Sequence, residues 1–252
     1  MSIISFEKDF FVEVIKGNVS GHSMVNKFGY NLSIDTGSVP EDVWNGGGLY
    51  AAFNATAAEI VEVFSSDAAD DSAGTGARTV DLFGLDGSYN ETSETVILDG
   101  VTPVNTVNSY LRLDRAIVIT AGTGGSNAGV ITARQSVTTA NVFTAIPISR
   151  NQTNIAAYTI PAGKTGYLYS LGVTVSKATD TEAQFDLFVR PFGEVFQGKD
   201  PGVASKAGGQ YIRNTHPWLE ITEKSDIVVR VSSVGANGTQ VDANFAILLV
   251  DN

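Results

Sequence analysis

The sequence predicts an all-β protein of two β-sandwich domains, the C-terminal one jelly-roll-like. Three observations lead there. Within the last hundred residues at least five runs alternate apolar and polar side chains, which is how a strand with one buried and one wetter face reads. The rest of the chain is cut into short β-prone runs by Gly-rich turns. The composition agrees: of 252 residues, 43% are apolar, only 17% are charged and 26 are Gly. That mixture fills a core yet favours strands and tight turns over long helices.

Taken in order, Ser2–Lys16 mixes Phe6, Phe10, Phe11, Val12, Val14 and Ile15 with charged neighbours. It suits an edge strand, a short helix or an arm docked on a neighbouring subunit, and an edge strand fits best. Gly29–Ser38 alternates Tyr30, Leu32 and Ile34 with Asn31, Ser33 and Asp35, a strand. Ser38-Val39-Pro40-Glu41 has capping-box spacing and predicts one turn of helix, ended by Asn45-Gly46-Gly47-Gly48, with Trp44 filling a core gap. Leu49–Phe53 and Glu59–Phe64 read as strands, and Ser65–Gly76 as a polar loop.

Two further strands, Thr79–Phe83 and Thr92–Leu98, flank the turn Gly84-Leu85-Asp86-Gly87, and Asp99-Gly100 turns the chain again. Ile117–Thr120, Val130–Arg134 and Val142–Ile148 are strands, the last ended or placed at an edge by Pro147. Ile155–Ile160 follows, closed by Pro161-Ala162-Gly163-Lys164. The regular runs are Tyr167–Val175, Ala183–Val189, Ile227–Val231 and Val241–Leu249. Gln197–Gly209 lacks apolar content and reads as a surface loop. The division expected is an N-terminal arm over 1–30, a β-rich domain over 31–150 and a jelly-roll-like sandwich over 151–252. No linker marks residue 150, so the halves should pack closely.

Acidic residues outnumber basic ones 27 to 16, for a net charge of −11. Such a surface repels phosphate backbones, which argues against direct nucleic-acid binding. The chain has no cysteine, so disulfides, thiolate metal sites and cysteine nucleophiles are excluded. The N-terminus lacks the basic lead of a secretory signal, and no apolar run nears the ~18 residues of a spanning helix.

Catalytic patterns are weak, and no enzyme, cofactor or metal is expected. His22 and His216 are the only histidines and neither sits in a recognisable nucleophile motif. Asp67, Asp70 and Asp71 offer oxygen ligands for a hard cation, though such loops are usually just solvated. Gly122–Asn127 lacks the Lys-Ser/Thr ending of a phosphate loop and reads as a hairpin turn. Glu91 and Glu94 could pair as acid and base, but nothing fixes their separation. Among the aromatic residues of the second half, Tyr158 and Phe188 fall out of phase with the apolar faces. With Phe6, Phe10 and Phe11 they are the candidates for contact with a partner.

Three stretches, VPEDVWNGGGLY, GTGARTVDLFGLDGSYNETSETVILDG and YTIPAGKTGYL, together resemble a family of small virion-associated structural proteins of tailed bacteriophages, marine and aquatic ones especially. The resemblance runs from about Asn31 to the end and is weakest in the N-terminal arm. It implies a particle component made in the bacterial host cytoplasm. A head-associated decoration, vertex or neck/collar protein fits, acting as a homo-oligomer in contact with other virion proteins. The alternative is a receptor- or glycan-binding tail or fibre module. No direct nucleic-acid contact and no membrane association are expected, and the family lends no catalytic residues.

Overall fold

The computed structural model describes residues 8–177 and 179–252, with the backbone alone for 214–217. The protein is all-β, with two packed two-sheet units. The first unit holds β1 (His22–Ile34), β2 (Glu41–Asp42), β10 (Ala157–Thr159), β11 (Lys164–Ser176), β12 (Glu182–Arg190), β13 (Gln197–Ser205), β14 (Tyr211–Ile221), β15 (Asp226–Val234) and β16 (Thr239–Asp251). One sheet runs β1-β16-β11-β14; the other runs β10-β15-β12-β13, with β2 also on β15. All pairings are antiparallel. Ile34, Leu168, Leu171, Val173, Phe185, Leu187, Phe245 and Ile247 are among the inward residues that fill the space between the sheets.

β2 and β10 lie end to end along the same edge of β15, β10 opposite Asp226–Val228 and β2 opposite Arg230–Val231. They are two halves of one strand position. Counted that way, the sheets follow strand order 1-8-3-6 and 2-7-4-5. The second unit springs from the gap between the halves. It contains the 3₁₀ turn η1 (Ala51–Asn54), β3 (Glu59–Ser65), β4 (Ala77–Leu85), β5 (Glu91–Ile97), β6 (Val104–Tyr110), β7 (Arg112–Ala121), β8 (Ile131–Gln135) and β9 (Val142–Ile146). Its sheets run β6-β3-β8-β9 and β5-β4-β7.

The two chain crossings at the gap form a neck. The Val43 amide donates to Val229 O, and the Ala156 amide to Val43 O, both at 2.9 Å, while Trp44 bridges Ile155. Gly29 of β1 passes so close that an added Cβ would lie 2.2 Å from Ala156 N, so only glycine fits there. Trp44 is buried as expected, with its indole N–H on Gly48 O and its ring against Gly46, where a Cβ would overlap it.

Several expectations are corrected. Of the expected arm over 1–30, His22–Tyr30 is not set apart from the sandwiches: it pairs with the C-terminal strand β16, more than two hundred residues away. The domain limits at 30 and 150 miss this because the unit is discontinuous in sequence. Within Ser2–Lys16 the described part is a short helix, α1 (Phe10–Ile15), not an edge strand; the Asp9 carboxylate caps it by accepting from Val12 N at 2.9 Å. No helix follows Ser38. Val39–Pro40 is a cis peptide, and the Glu41 carboxylate accepts from Ser38 Oγ, Asn31 Nδ2 and Gly48 N instead. Leu49–Phe53 turns as η1 rather than extending. Gln197–Ser205, read as a loop, is the edge strand β13; an edge strand needs little apolar alternation and tolerates Pro201.

Candidate functional site

The chemistry that stands out lies where the inserted unit meets the first. Its centre is Asp226, at the start of β15. Its Oδ1 accepts from Arg112 Nε at 3.0 Å and Thr159 Oγ1 at 2.6 Å; its Oδ2 accepts from Arg112 Nη2 at 3.2 Å, Arg190 Nε at 2.9 Å and Arg190 Nη2. Arg112 comes from the inserted unit and is itself buried, with Nη1 donating to Ala55 O and Leu111 O. Arg190 Nη2 reaches the Phe53 carbonyl at 2.8 Å. A buried carboxylate is tolerable only with such complete pairing.

Aromatic rings extend this cluster into a ladder. Arg112 and Arg190 both lie over the Phe53 ring, 5.7 Å from its centroid. Arg190 also covers Phe196 at 4.7 Å, and Arg230 stacks on Phe196 at 5.3 Å and Phe188 at 5.1 Å. Arg230 is fixed in turn by both oxygens of Asp42. The ladder Arg112–Phe53–Arg190–Phe196–Arg230–Phe188 thus crosses from one unit to the other. Each exposed-type cation–π contact contributes about 0.5–1 kcal/mol and a desolvated one about 2.

Beside the ladder the junction opens into a cleft of about 420 Å³, lined by Met24–Phe28, Asp114, Arg115, Thr153 and Tyr158. A second hollow, beside Phe83, Glu91, Thr92 and Ser93, shares Asp114 and Tyr158 with it. Lys27 is 7% exposed, and its ammonium donates across the cleft to the Asp114 carbonyl. Burial pulls the Lys27 amine down to about 8, against the attraction of Asp114. Burial pushes the half-buried Asp114 carboxyl up to about 7, against Lys27, the Thr159 amide and Arg112. Two groups that titrate near neutrality therefore face each other between the units.

The expected contact residues fall out differently from one another. Phe6 lies outside the described residues. Phe10 is 44% exposed on α1, edge-on to His22. Phe11 is half-buried against Tyr169 and Trp218. Tyr158 is 6% exposed, so it is not a surface contact; the core of the first unit covers it and its edge lines the cleft. Phe188 packs against the core of the inserted unit under Arg230. Phe188 falls out of phase because the outer face of its sheet is covered by the chain's own second unit, which alternation alone cannot distinguish from a foreign partner; Tyr158 is in phase with Ala156 and Ile160 on the inner face of its sheet.

The other candidates resolve by geometry. Asp70 is buried: its carboxylate accepts from Ser65 Oγ and from the amides of Ala77, Ala128 and Gly129 at 2.6–2.8 Å. It pins the polar loop to the Gly122–Gly129 turn. Asp67 and Asp71 each accept an amide two residues on. Among the described residues no group of three or more His, Asp or Glu is arranged to hold a metal ion. Glu91 and Glu94 sit three apart on β5, on opposite faces; Glu94 accepts the amides of Val107 and Asn108. His22 bonds Ser20 O through Nδ1, and the His216 side chain lies outside the described residues. Arg112, Arg190, Lys27 and Asp114 went unremarked in the sequence. Nothing in the pattern singles them out: β1 and β7 carry other polar and charged residues beside Lys27 and Arg112. Among the described residues no helix is long and apolar enough to cross a membrane. No protein-family model matches the chain, and no curated protein is significantly similar to it.

Proposed function

We propose that the chain is a structural component of a tailed-phage virion: a head-associated decoration, vertex or neck/collar protein acting as a homo-oligomer among other virion proteins. The first unit is read as a jelly roll, since its strand order is that of two wrapped Greek keys. One observation carries the reading. A second sandwich is inserted into a split strand and clamped by the Asp226 cluster and the ladder, so two folded bodies are held in one fixed relation. That suits a part that docks through one body and projects the other. The resemblance to virion proteins supports it; one of its three stretches, 39–50, passes into the neck, and another, 158–168, begins two residues after the crossing out of it. Quantitative mass spectrometry of purified particles tests the idea: a fixed stoichiometry is expected, and absence from the particle ends it.

A receptor- or glycan-binding module is the second reading. Phe83, 40% exposed beside the hollow of Glu91 and Ser93, and Phe192, exposed beside Tyr89 and Lys224, are aromatic surfaces next to polar groups, as saccharide contacts require. Saturable binding on a glycan array that is lost in Phe83→Ala or Phe192→Ala would favour it over the structural role.

A further inference from the structure

The cleft at Lys27 is lined by five consecutive residues of β1, Met24 to Phe28. Successive side chains of a strand point to opposite faces, so five in a row cannot line a cleft with one face. What faces the cleft is the edge of the strand. β1 ends its sheet, with β16 on one side and, among the described residues, no strand on the other. Beyond Gly29 the neck covers this edge; before it, among the described residues, no strand pairs with the edge over about 16 Å, five residues of extended chain.

The opposite wall is an edge too. β7 ends its own sheet, paired to β4. Its outer side is partly taken by the passing chain: Val118 N donates to Asn151 O, and Thr153 N to Ala116 O. That leaves Asp114 and Arg115 facing the cleft. Across the gap, the Lys27 ammonium donates to the Asp114 carbonyl, a backbone acceptor of the kind that a neighbouring strand would satisfy. The cleft is therefore a slot between two sheet edges, crossed by the Lys27 side chain. Unpaired edges of this kind are templates for strand addition.

We propose that this slot receives an extended peptide segment of another protein, which adds to the β1 edge. Its central residue carries a carboxylate. Lys27 and Arg115 supply two cationic groups there against Asp114, in a chain of net charge −11, and the carboxylate would take the Lys27 ammonium in place of the Asp114 carbonyl. Its flanking residues are apolar, to meet Met24, Phe28 and Tyr158. The assignment rests on the slot alone and holds whether the chain belongs to a particle head or to a receptor-binding module.

The test uses the full chain, ¹⁵N-labelled, titrated with capped heptapeptides of alternating Thr and Val carrying Glu at the centre, and with their Gln counterparts. Saturable shifts of the Met24–Phe28 and Asp114–Arg115 amides are expected, with slowed hydrogen exchange along Met24–Phe28. The Glu peptides should bind about tenfold more tightly than the Gln peptides. Arg115→Ala, at an exposed site, should weaken the Glu peptides severalfold without disturbing the fold, and Lys27→Met should abolish the preference for Glu over Gln. No shift at millimolar peptide, or shifts confined to other surfaces, overturns the proposal. So does tighter binding by the chain's own Met1–Asp9 peptide, which would assign the slot to a second copy.

Discussion

The junction between the two units contains two buried charge arrangements, built on opposite plans. At Asp226 five donated hydrogen bonds converge on one carboxylate, and the two guanidiniums that supply four of them are stacked on aromatic rings. At Lys27 a buried ammonium reaches one carbonyl, and the carboxyl beside it is pushed up to about 7. Both sit between the same bodies. The first can only hold them together, because any opening would strand desolvated charges. The second is only partly satisfied and borders open space, as suits a site that exchanges partners or protons. Closed pairing marks the lock, and incomplete pairing marks the place where something else can bind.

The largest expected effect breaks the lock. Asp226→Ala leaves Arg112 and Arg190 buried without their carboxylate, and urea denaturation should show a loss of about 3–5 kcal/mol. Asp70→Ala removes four hydrogen bonds inside the inserted unit and should cost roughly 2–4 kcal/mol. Because Asp70 does not touch the ladder, hydrogen exchange should report loosening of the Gly122–Gly129 turn with the Asp226 cluster intact. Phe53→Leu keeps most of the volume but removes the ring between two guanidiniums, for about 1–2 kcal/mol.

The cleft is broken by pH instead. The Asp114 pKa is raised from 3.8 to about 7, so the folded state holds the extra proton between those values. Its stabilising contribution is complete below about 4 and is lost as pH rises through 7. Lys27 is lowered from 10.5 to about 8, so the unfolded state holds the extra proton between 8 and 10.5 and stability recovers over that range. Together they predict a minimum of stability between about pH 7 and 8. Each limb has a slope of at most about 1.4 kcal/mol per pH unit, reduced by the solvent that reaches Asp114. Thermal melts against pH should show that minimum, with Asp114→Asn removing the falling limb and Lys27→Met the rising one. An unchanged profile in both variants would mean that the two groups are not coupled to folding. The smallest effect belongs to Arg115→Ala, an exposed change expected to stay within about 0.5 kcal/mol.

Four strands of the C-terminal region, β11, β12, β15 and β16, were legible because each has one buried face: Phe185, Leu187 and Val189 announce themselves at period two, whereas β14 was not among the runs read as strands. The hairpin of β4 and β5 was legible from Asp86-Gly87, although β4 runs on through Gly84 and Leu85 and the connection is Asp86–Asn90, where Asp86 accepts the amides of Ser88 and Asn90. β13 was not, because an edge strand needs little apolar content to be held. Nor was the ladder, whose six members come from η1, β7, β12, β15 and the segment after β12.

By itself the sequence determined most of the local choices: where the alternating strands form, where the Gly-rich turns fall, and that the architecture is sheet packed on sheet. Those follow from side-chain periodicity and backbone preference, which act over a few residues. Only the tertiary structure decided that β1 closes a sheet with β16, that one strand position is split to admit a second unit, and that Phe188 and Tyr158 are covered from within the chain. The physical reason is that alternation records whether a face is buried and carries no mark of what buries it.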